Sequence, residues 1–109
     1  MVDLKPFVEA DFKRLMSWIT DEAMLMQFAG PLFSYPLSFR QLDQYLEDYQ
    51  RWVFKAILLP EKITIGHAEI YWPDLERAVL CRLLIGDAAL RGRGYGQEMI
   101  EQLLCACTK

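Results

Sequence analysis

The segment RGRGYG, residues 91–96, combines two residue types that favour the binding of phosphate groups. Arginine presents a planar fork of N–H donors that matches the oxygens of a phosphate. Glycine has no Cβ atom, so a ligand can approach its backbone closely, and it adopts positive φ at little cost. The segment is therefore predicted to bind a phosphate-bearing group, although a simple tight turn can have the same composition.

The residues on either side of this segment strengthen the prediction. An apolar run, residues 80–85, reads as a strand, and Met99, Ile100 and Leu103 recur at helical spacing after it. The first N–H groups of a helix have no partner within the helix, and the helix dipole adds partial positive charge there. A strand that leads through a glycine-rich loop into a helix is a common anion-binding arrangement.

Two familiar phosphate motifs do not fit these residues. The dinucleotide fingerprint requires G-x-G-x-x-G, and the position three after Gly96 is Met99. A P-loop requires Gly-Lys followed by Ser or Thr, which the sequence lacks. The pattern that remains is Arg-x-x-Gly-x-Gly, at Arg91, Gly94 and Gly96.

This pattern follows a strand ending in Ile85-Gly86-Asp87, and it resembles the acetyl-CoA-binding motif of the GCN5-related N-acetyltransferases (GNAT). The closest likeness is to the branch that includes the ribosomal-protein alanine N-acetyltransferases, which often have Gly-Asp-Pro before the arginine. Here Ala88 stands at the position of that proline. The resemblance implies transfer of an acetyl group from acetyl-CoA to a primary amine of a protein N-terminus or a small molecule.

The resemblance also implies where acetyl-CoA, the cosubstrate, would bind. In the family the pantetheine arm lies along the end of the fourth strand, and the pyrophosphate lies on the backbone amides of the loop that follows. The cofactor-binding residues predicted in this way are Leu83, Leu84, Ile85, Arg91, Gly92, Arg93, Gly94, Tyr95 and Gly96.

The acid–base residues have a weaker match in the sequence. Family members often have a glutamate on or near the fourth strand that receives the proton of the amine through water, but this strand carries Cys81 and Arg82. The carboxylates Glu69 and Asp87 are therefore the predicted catalytic residues, with His67 as a further candidate. A lone strand histidine is more often structural, and Asp87 also suits a loop cap. Cys81 is predicted to be a core residue, because no neighbour in the sequence would lower its pKa.

The first half of the sequence predicts one strand and three helices. A strand is expected at residues 2–7, followed by a helix with apolar residues at helical spacing. Asp21 and Ser38 precede the next two apolar-periodic segments, where each can cap a helix N-terminus. The apolar faces of the first and third helices are predicted to be Phe12, Leu15, Met16 and Ile19, and Phe39, Leu42, Tyr45, Leu46 and Tyr49.

The second half predicts three strands, at residues 52–59, 63–71 and 77–85, and a last helix from Gly94 to about Ala106. Alternation over the middle strand predicts that Ile63, Ile65, His67, Glu69 and Tyr71 share one face. The buried stripe of the last helix is predicted to be Tyr95, Met99, Ile100, Leu103 and Leu104. The fold class is therefore α+β, and the resemblance implies a mixed, mainly antiparallel GNAT-like sheet flanked by helices.

Composition limits the kind of protein further. The 109 residues predict a single domain, residues 1–109, and a net charge of −3 argues against a nucleic-acid surface. The sequence has three cysteines without metal-ligand spacing, no long apolar run and no signal peptide. It therefore predicts a cytoplasmic protein without a metal or a membrane anchor.

The elements correspond to only the N-terminal portion of the GNAT fold. The chain is therefore expected to be truncated, and an open sheet edge then predicts a homo-oligomer or a fragment of a longer product.

Three interpretations of the function remain at this point. The first is an acetyl-CoA-dependent N-acetyltransferase. The second is a truncated, catalytically inactive GNAT-fold module that binds CoA or assembles with another chain. The third is an unrelated phosphate-binding domain, which would not require both the pantetheine arm and the pyrophosphate.

Overall fold

A computed structural model describes residues 1–108 as two compact units. One unit contains residues 1–7 and the chain from residue 50 onward, and the other contains residues 8–49. In chain order the elements are β1 (Val2–Pro6), α1 (Phe12–Trp18), α2 (Glu22–Ala29), α3 (Phe39–Glu47), β2 (Arg51–Leu58), β3 (Ile63–Tyr71), β4 (Val79–Ile85) and α4 (Tyr95–Cys107). Short 3-10 segments lie at Glu9–Asp11, Gly30–Leu32 and Ala88–Leu90.

The first unit is a four-stranded antiparallel sheet with α4 packed against it. The strand order is β1-β2-β3-β4, so every pair of neighbouring strands in the described sheet is antiparallel. Its core consists of apolar side chains from the sheet and from α4, namely Val2, Ala56, Leu58, Ile65, Ala68, Ile70, Met99 and Leu103. The predicted α+β class is confirmed.

The buried stripe of α4 is narrower than the sequence predicts. Met99 and Leu103 lie one turn apart and are buried, whereas Leu104 is 52% exposed. Only one side of α4 faces the sheet, and Leu104 lies about 100° around the helix from Leu103. The prediction that Leu104 is buried is therefore wrong.

A bulge in β3 changes the predicted alternation of its side chains. Ala56 pairs with Gly66 and Ile57 pairs with Thr64, so Ile65 is an extra residue on β3. Ile65 joins the core cluster with Ala68 and Ile70. The prediction that Ile65 shares a face with His67 and Glu69 is wrong, because an extra residue shifts the period-2 pattern.

Gly66 allows β3 and β4 to pack closely. A Cβ atom at this position would lie 2.6 Å from the Leu84 carbonyl oxygen and 3.2 Å from Met99 Sδ. Real Cβ atoms do not approach a backbone oxygen so closely, so no larger residue fits without movement of β4.

The second unit contains α1, α2 and α3, and its helix starts follow the sequence prediction. Asp21 Oδ1 accepts a hydrogen bond from Met24 N at 2.8 Å, and Ser38 Oγ accepts one from Gln41 N at 3.4 Å. Both predicted N-caps are confirmed. Gly30 follows α2 with φ of 56°, a conformation that favours glycine.

The apolar face of α3 is also narrower than predicted. Leu42 and Tyr45 are buried, whereas Phe39, Leu46 and Tyr49 are exposed. Tyr49 lies beyond the last residue of α3, so it does not continue the helical stripe.

No helix within residues 1–108 has the length and apolar character needed to cross a bilayer.

Candidate functional site

The predicted phosphate-binding loop connects the end of β4 to the start of α4. Asp87 Oδ1 accepts a hydrogen bond from Ala89 N at 2.9 Å and so begins the 3-10 turn after β4. Arg91 Nε donates to the Ile85 carbonyl oxygen at 2.9 Å. The loop is therefore tied to the last residue of the strand from which it emerges.

Two of the three loop glycines adopt the positive φ that the sequence suggests. Gly92 and Gly94 have φ of 77° and 86°, and Gly94 is the N-cap residue of α4. No atom lies within 4 Å of a Cβ atom added at Gly92, Gly94 or Gly96, so the backbone there borders open space.

The helix N-terminus at this loop has free backbone donors of the usual kind. Glu98 N donates to the Gly94 carbonyl oxygen at 3.1 Å, which is the first hydrogen bond of the α4 ladder. The amides before Glu98 in the first turn have no helical acceptor and point beyond the helix end. Arg91 and Arg93 are exposed beside them. The junction of β4, loop and α4 therefore combines amide donors, guanidinium groups and unobstructed backbone.

A second bulge lies in β4, before the residues predicted to contact pantetheine. His67 pairs with Leu84 and Glu69 pairs with Cys81, so β4 advances three residues while β3 advances two. Arg82 lies in this bulge with φ of 51°, which is unusual for a residue other than glycine. The sequence contains no glycine or other signal that would have predicted this bulge.

The bulge brings Arg82 to Glu69. Glu69 is completely buried, and its Oε2 atom lies 2.7 Å from Arg51 Nη1 and 3.4 Å from Arg82 Nη1. Cys81 Sγ donates to the same oxygen at 3.3 Å. The guanidinium of Arg51 also lies 4.7 Å from the centroid of the Tyr71 ring. We call Arg51, Glu69, Cys81 and Arg82 the Glu69 cluster.

The contacts of Glu69 limit its use as a base. A substrate amine would have to displace a guanidinium or the thiol to reach Oε2. Burial, and then the nearby Glu69 carboxylate, raise the pKa of the Cys81 thiol to about 11. The thiol is therefore protonated at neutral pH and is not an activated nucleophile.

The other two acid–base candidates lie in different surroundings. Asp87 is exposed and caps the turn after β4, so it retains access to solvent. His67 is buried, and its ring packs edge-on against Phe7 with the centroids 4.7 Å apart.

Across residues 1–108, no group of three or more His, Cys, Asp and Glu side chains is arranged to hold a metal ion.

The profile of the acetyltransferase (GNAT) domain matches residues 2–109 of this chain. The chain belongs to the GNAT acetyltransferase family. Solved structures of other proteins have the same fold over almost the whole length of this GNAT chain. A domain from Methanocaldococcus jannaschii superposes with a TM-score of 0.78 at 15% sequence identity. The superposition covers 99% of this chain and 70% of the M. jannaschii chain.

Two further structures carry acetyltransferase names. Aminoglycoside acetyltransferase AAC(6')-Ib, solved in complex with coenzyme A, gives a TM-score of 0.75 at 20% identity, covering 99% of this chain and 68% of its own. An acetyltransferase from Thermus thermophilus gives a TM-score of 0.71 at 23% identity, and the superposition covers 96% of this chain and 68% of the T. thermophilus chain. At these identities the likeness shows the fold, and it confirms the predicted GNAT-like architecture.

The predicted cofactor residues of this GNAT domain fall on two connected features. Leu83, Leu84 and Ile85 form the end of β4, and residues 91–96 form the loop and the first turn of α4. The hydrogen bond from Arg91 to Ile85 joins the two features. What sequence reasoning missed is the Glu69 cluster, because its members come together only through strand pairing.

Proposed function

We propose that this GNAT domain transfers an acetyl group from acetyl-CoA to a primary amine. The observation that carries the proposal is the junction of β4, loop and α4. There, two glycines at positive φ and the first amides of α4 border open space beside Arg91 and Arg93.

The geometry suits the two parts of the cosubstrate separately. The pyrophosphate would accept hydrogen bonds from the amides of residues 91–96, with Arg93 as an exposed cation beside it. Arg91 would hold the loop through its bond to Ile85. The pantetheine arm would lie along residues 83–85, where β4 is an edge strand of the described sheet.

The reaction requires three events at the reacting atoms. The amine loses a proton, the thioester carbonyl is polarised and the departing thiolate gains a proton. Of the two predicted catalytic carboxylates, Asp87 is the accessible one, and we propose it as the residue that receives the proton through water. Glu69, buried against two guanidinium groups, fits a supporting role better than direct proton transfer.

The acceptor is proposed at the level of a chemical class. AAC(6')-Ib has been solved with coenzyme A and kanamycin, and another GNAT structure of this fold is a spermidine N-acetyltransferase chimera. Both names denote enzymes that act on amines. The Gly86-Asp87 sequence before the motif supports a protein N-terminal amine, as in the ribosomal-protein alanine branch, and a small amine is the other candidate.

An inactive module that binds CoA without turnover is the competing proposal. The observation that favours it is the burial of Glu69. This carboxylate on β3 contacts Cys81 and is not exposed to a substrate amine.

We also propose that this protein is cytoplasmic and forms a homodimer. The dimer is proposed because β4 has an edge position in the described sheet, and its start carries the exposed apolar residue Val79, which lies outside the residues proposed for the pantetheine arm.

Titration calorimetry with acetyl-CoA, and with ATP as a second ligand, tests the binding step. We expect acetyl-CoA to bind and ATP not to bind, because only acetyl-CoA has a pantetheine arm for β4. The variant G94L/G96L is expected to lose at least tenfold in acetyl-CoA affinity, because leucine side chains cover the loop backbone. Leucine favours helix at Gly96, whereas at Gly94 it also opposes the φ of 86°.

The matched control is G30L, since Gly30 also has positive φ and open space but lies outside the loop. Unchanged affinity in G94L/G96L would contradict the assignment of the loop. Release of free thiol from acetyl-CoA in the presence of an alanine-initiated peptide, kanamycin or spermidine then separates turnover from binding alone. Binding without release from any of the three would favour the inactive module.

A further inference from the structure

We propose that Glu69 and Arg82 are positioning residues, whose ion pair fixes the bulge of β4 and so the shape of the strand that receives the pantetheine arm. This inference rests on the proposed function and goes beyond it, because it assigns a role to residues outside the cofactor-binding loop.

The side chain of Arg82 points in a direction that a regular strand would not give it. In a regular strand, successive side chains point to opposite faces of the sheet. Cys81 and Arg82 are successive residues, yet both contact Glu69 Oε2, at 3.3 Å and 3.4 Å. The extra residue in β4 therefore turns Arg82 to the face on which Cys81 lies.

The backbone conformation at Arg82 is also unusual. Its φ of 51° lies in the left-handed region, which a residue with a Cβ atom rarely adopts and which costs conformational energy. Such a conformation persists only where surrounding contacts hold it. The contacts of the Arg82 guanidinium are Glu69 Oε2 at 3.4 Å and Cys81 Sγ at 3.0 Å.

Glu69 is itself firmly held. It is completely buried on β3, and Arg51 on β2 binds the same carboxylate oxygen at 2.7 Å. The Glu69 cluster therefore links three strands by ionic contacts, with Arg51 and Arg82 side chains only 13% and 16% exposed. Limited water access strengthens such contacts.

The Glu69 cluster is connected to the cosubstrate through the residues that follow Arg82. Leu83, Leu84 and Ile85, the residues proposed to border the pantetheine arm, follow Arg82 directly. The conformation at Arg82 sets the direction in which these residues leave the bulge. Relaxation of Arg82 to an ordinary strand conformation would shift the register of β4 by one residue and turn their side chains to the opposite face.

The test compares two substitutions of the same residue. Arg82→Met removes the ion pair and keeps a Cβ atom, whereas Arg82→Gly removes the ion pair and permits φ of 51° without cost. We expect R82M to weaken acetyl-CoA binding at least fivefold by calorimetry and R82G to stay within twofold of the wild type. Glu69→Gln should behave as R82M does, and the double variant E69Q/R82G should recover most of the lost affinity.

Hydrogen–deuterium exchange over residues 79–85 gives a second readout that does not require the cosubstrate. Exchange should rise in R82M and E69Q and return towards the wild-type value in E69Q/R82G. Asp11→Asn is the control, since it removes the charge of another buried carboxylate that pairs with an arginine, Arg14, in the other unit. It should leave both readouts unchanged.

Two results would overturn the proposal. An R82M variant with wild-type affinity and exchange would show that the ion pair does not hold the bulge. Equal losses of affinity in R82M and R82G would show that the arginine side chain contacts the cosubstrate directly. A wild-type protein that binds no acetyl-CoA would refute the proposed function, and the exchange pattern would still decide whether Glu69 and Arg82 fix β4.

Discussion

Gly66 is the residue at which β3 approaches both β4 and α4. A Cβ atom there would lie 2.6 Å from the Leu84 carbonyl oxygen, and a backbone oxygen cannot move aside as a flexible side chain can. Since Leu84 is also a proposed pantetheine contact, the packing at Gly66 supports the same strand that the Glu69 cluster shapes at Arg82.

We predict that Gly66→Ala lowers the free energy of unfolding by about 1–3 kcal/mol, the usual cost of forcing an extra carbon into a packed core. Urea unfolding followed by circular dichroism measures this change. The matched control is Gly96→Ala, because an added Cβ there meets no atom within 4 Å. Alanine favours helix over glycine by up to about 1 kcal/mol, so G96A should be neutral or stabilising. A G66A variant as stable as the wild type would contradict the close approach.

At the scale of the element, α2 and α3 begin at side-chain caps. Asp21 accepts from Met24 N at 2.8 Å at the start of α2, and Ser38 Oγ accepts from Gln41 N at 3.4 Å at the start of α3. These bonds satisfy amides that a helix leaves without partners in its first turn. They are short-range, which is why the sequence around Asp21 and Ser38 was sufficient to predict them.

We predict that Asp21→Ala lowers the free energy of unfolding by about 1 kcal/mol, because it removes the N-cap acceptor of α2. Asp21→Asn should retain most of the stability, because its side-chain oxygen can accept the same bond. Urea unfolding compares the two variants with the wild type. Equal stability of D21A and the wild type would mean that the cap in α2 contributes nothing measurable.

At the scale of the whole molecule, β4 is the strand whose free edge bears on assembly. It pairs with β3 on one side in the described sheet, and the exposed Val79 at its start would suit contact with a second copy. An edge strand with exposed apolar side chains can pair with the same strand of another chain. The proposed homodimer would use this end of β4, which leaves residues 83–85 for the pantetheine arm.

We predict that Val79→Lys shifts the protein from dimer to monomer, because a lysine on an edge strand opposes pairing. Light scattering coupled to size-exclusion chromatography, at several concentrations, gives the mass. Ile63→Lys is the matched control, because Ile63 is similarly exposed but lies on β3, which has a neighbour on each side. A wild-type chain that is monomeric at every concentration would refute the dimer.

The sequence by itself determined the elements and the loop. Residues 63–71 were predicted as a strand, and β3 spans Ile63–Tyr71. Asp21 and Ser38 were predicted as caps, and the Arg-x-x-Gly-x-Gly pattern located the start of α4. These features depend on periodicity, on capping and on the conformational freedom of glycine, all of which act between residues close in the chain.

Only the tertiary structure decided the bulges and what they bring together. The extra residues Ile65 and Arg82 arise from pairing between strands, and no local pattern records the register of a partner strand. Glu69 was predicted as a catalytic residue from its position near β4, and its partners Arg51, Arg82 and Cys81 come from β2 and β4. The surroundings of Glu69 therefore depend on contacts between residues far apart in the chain. These contacts determine that its carboxylate faces two arginines, and the sequence alone does not contain that information.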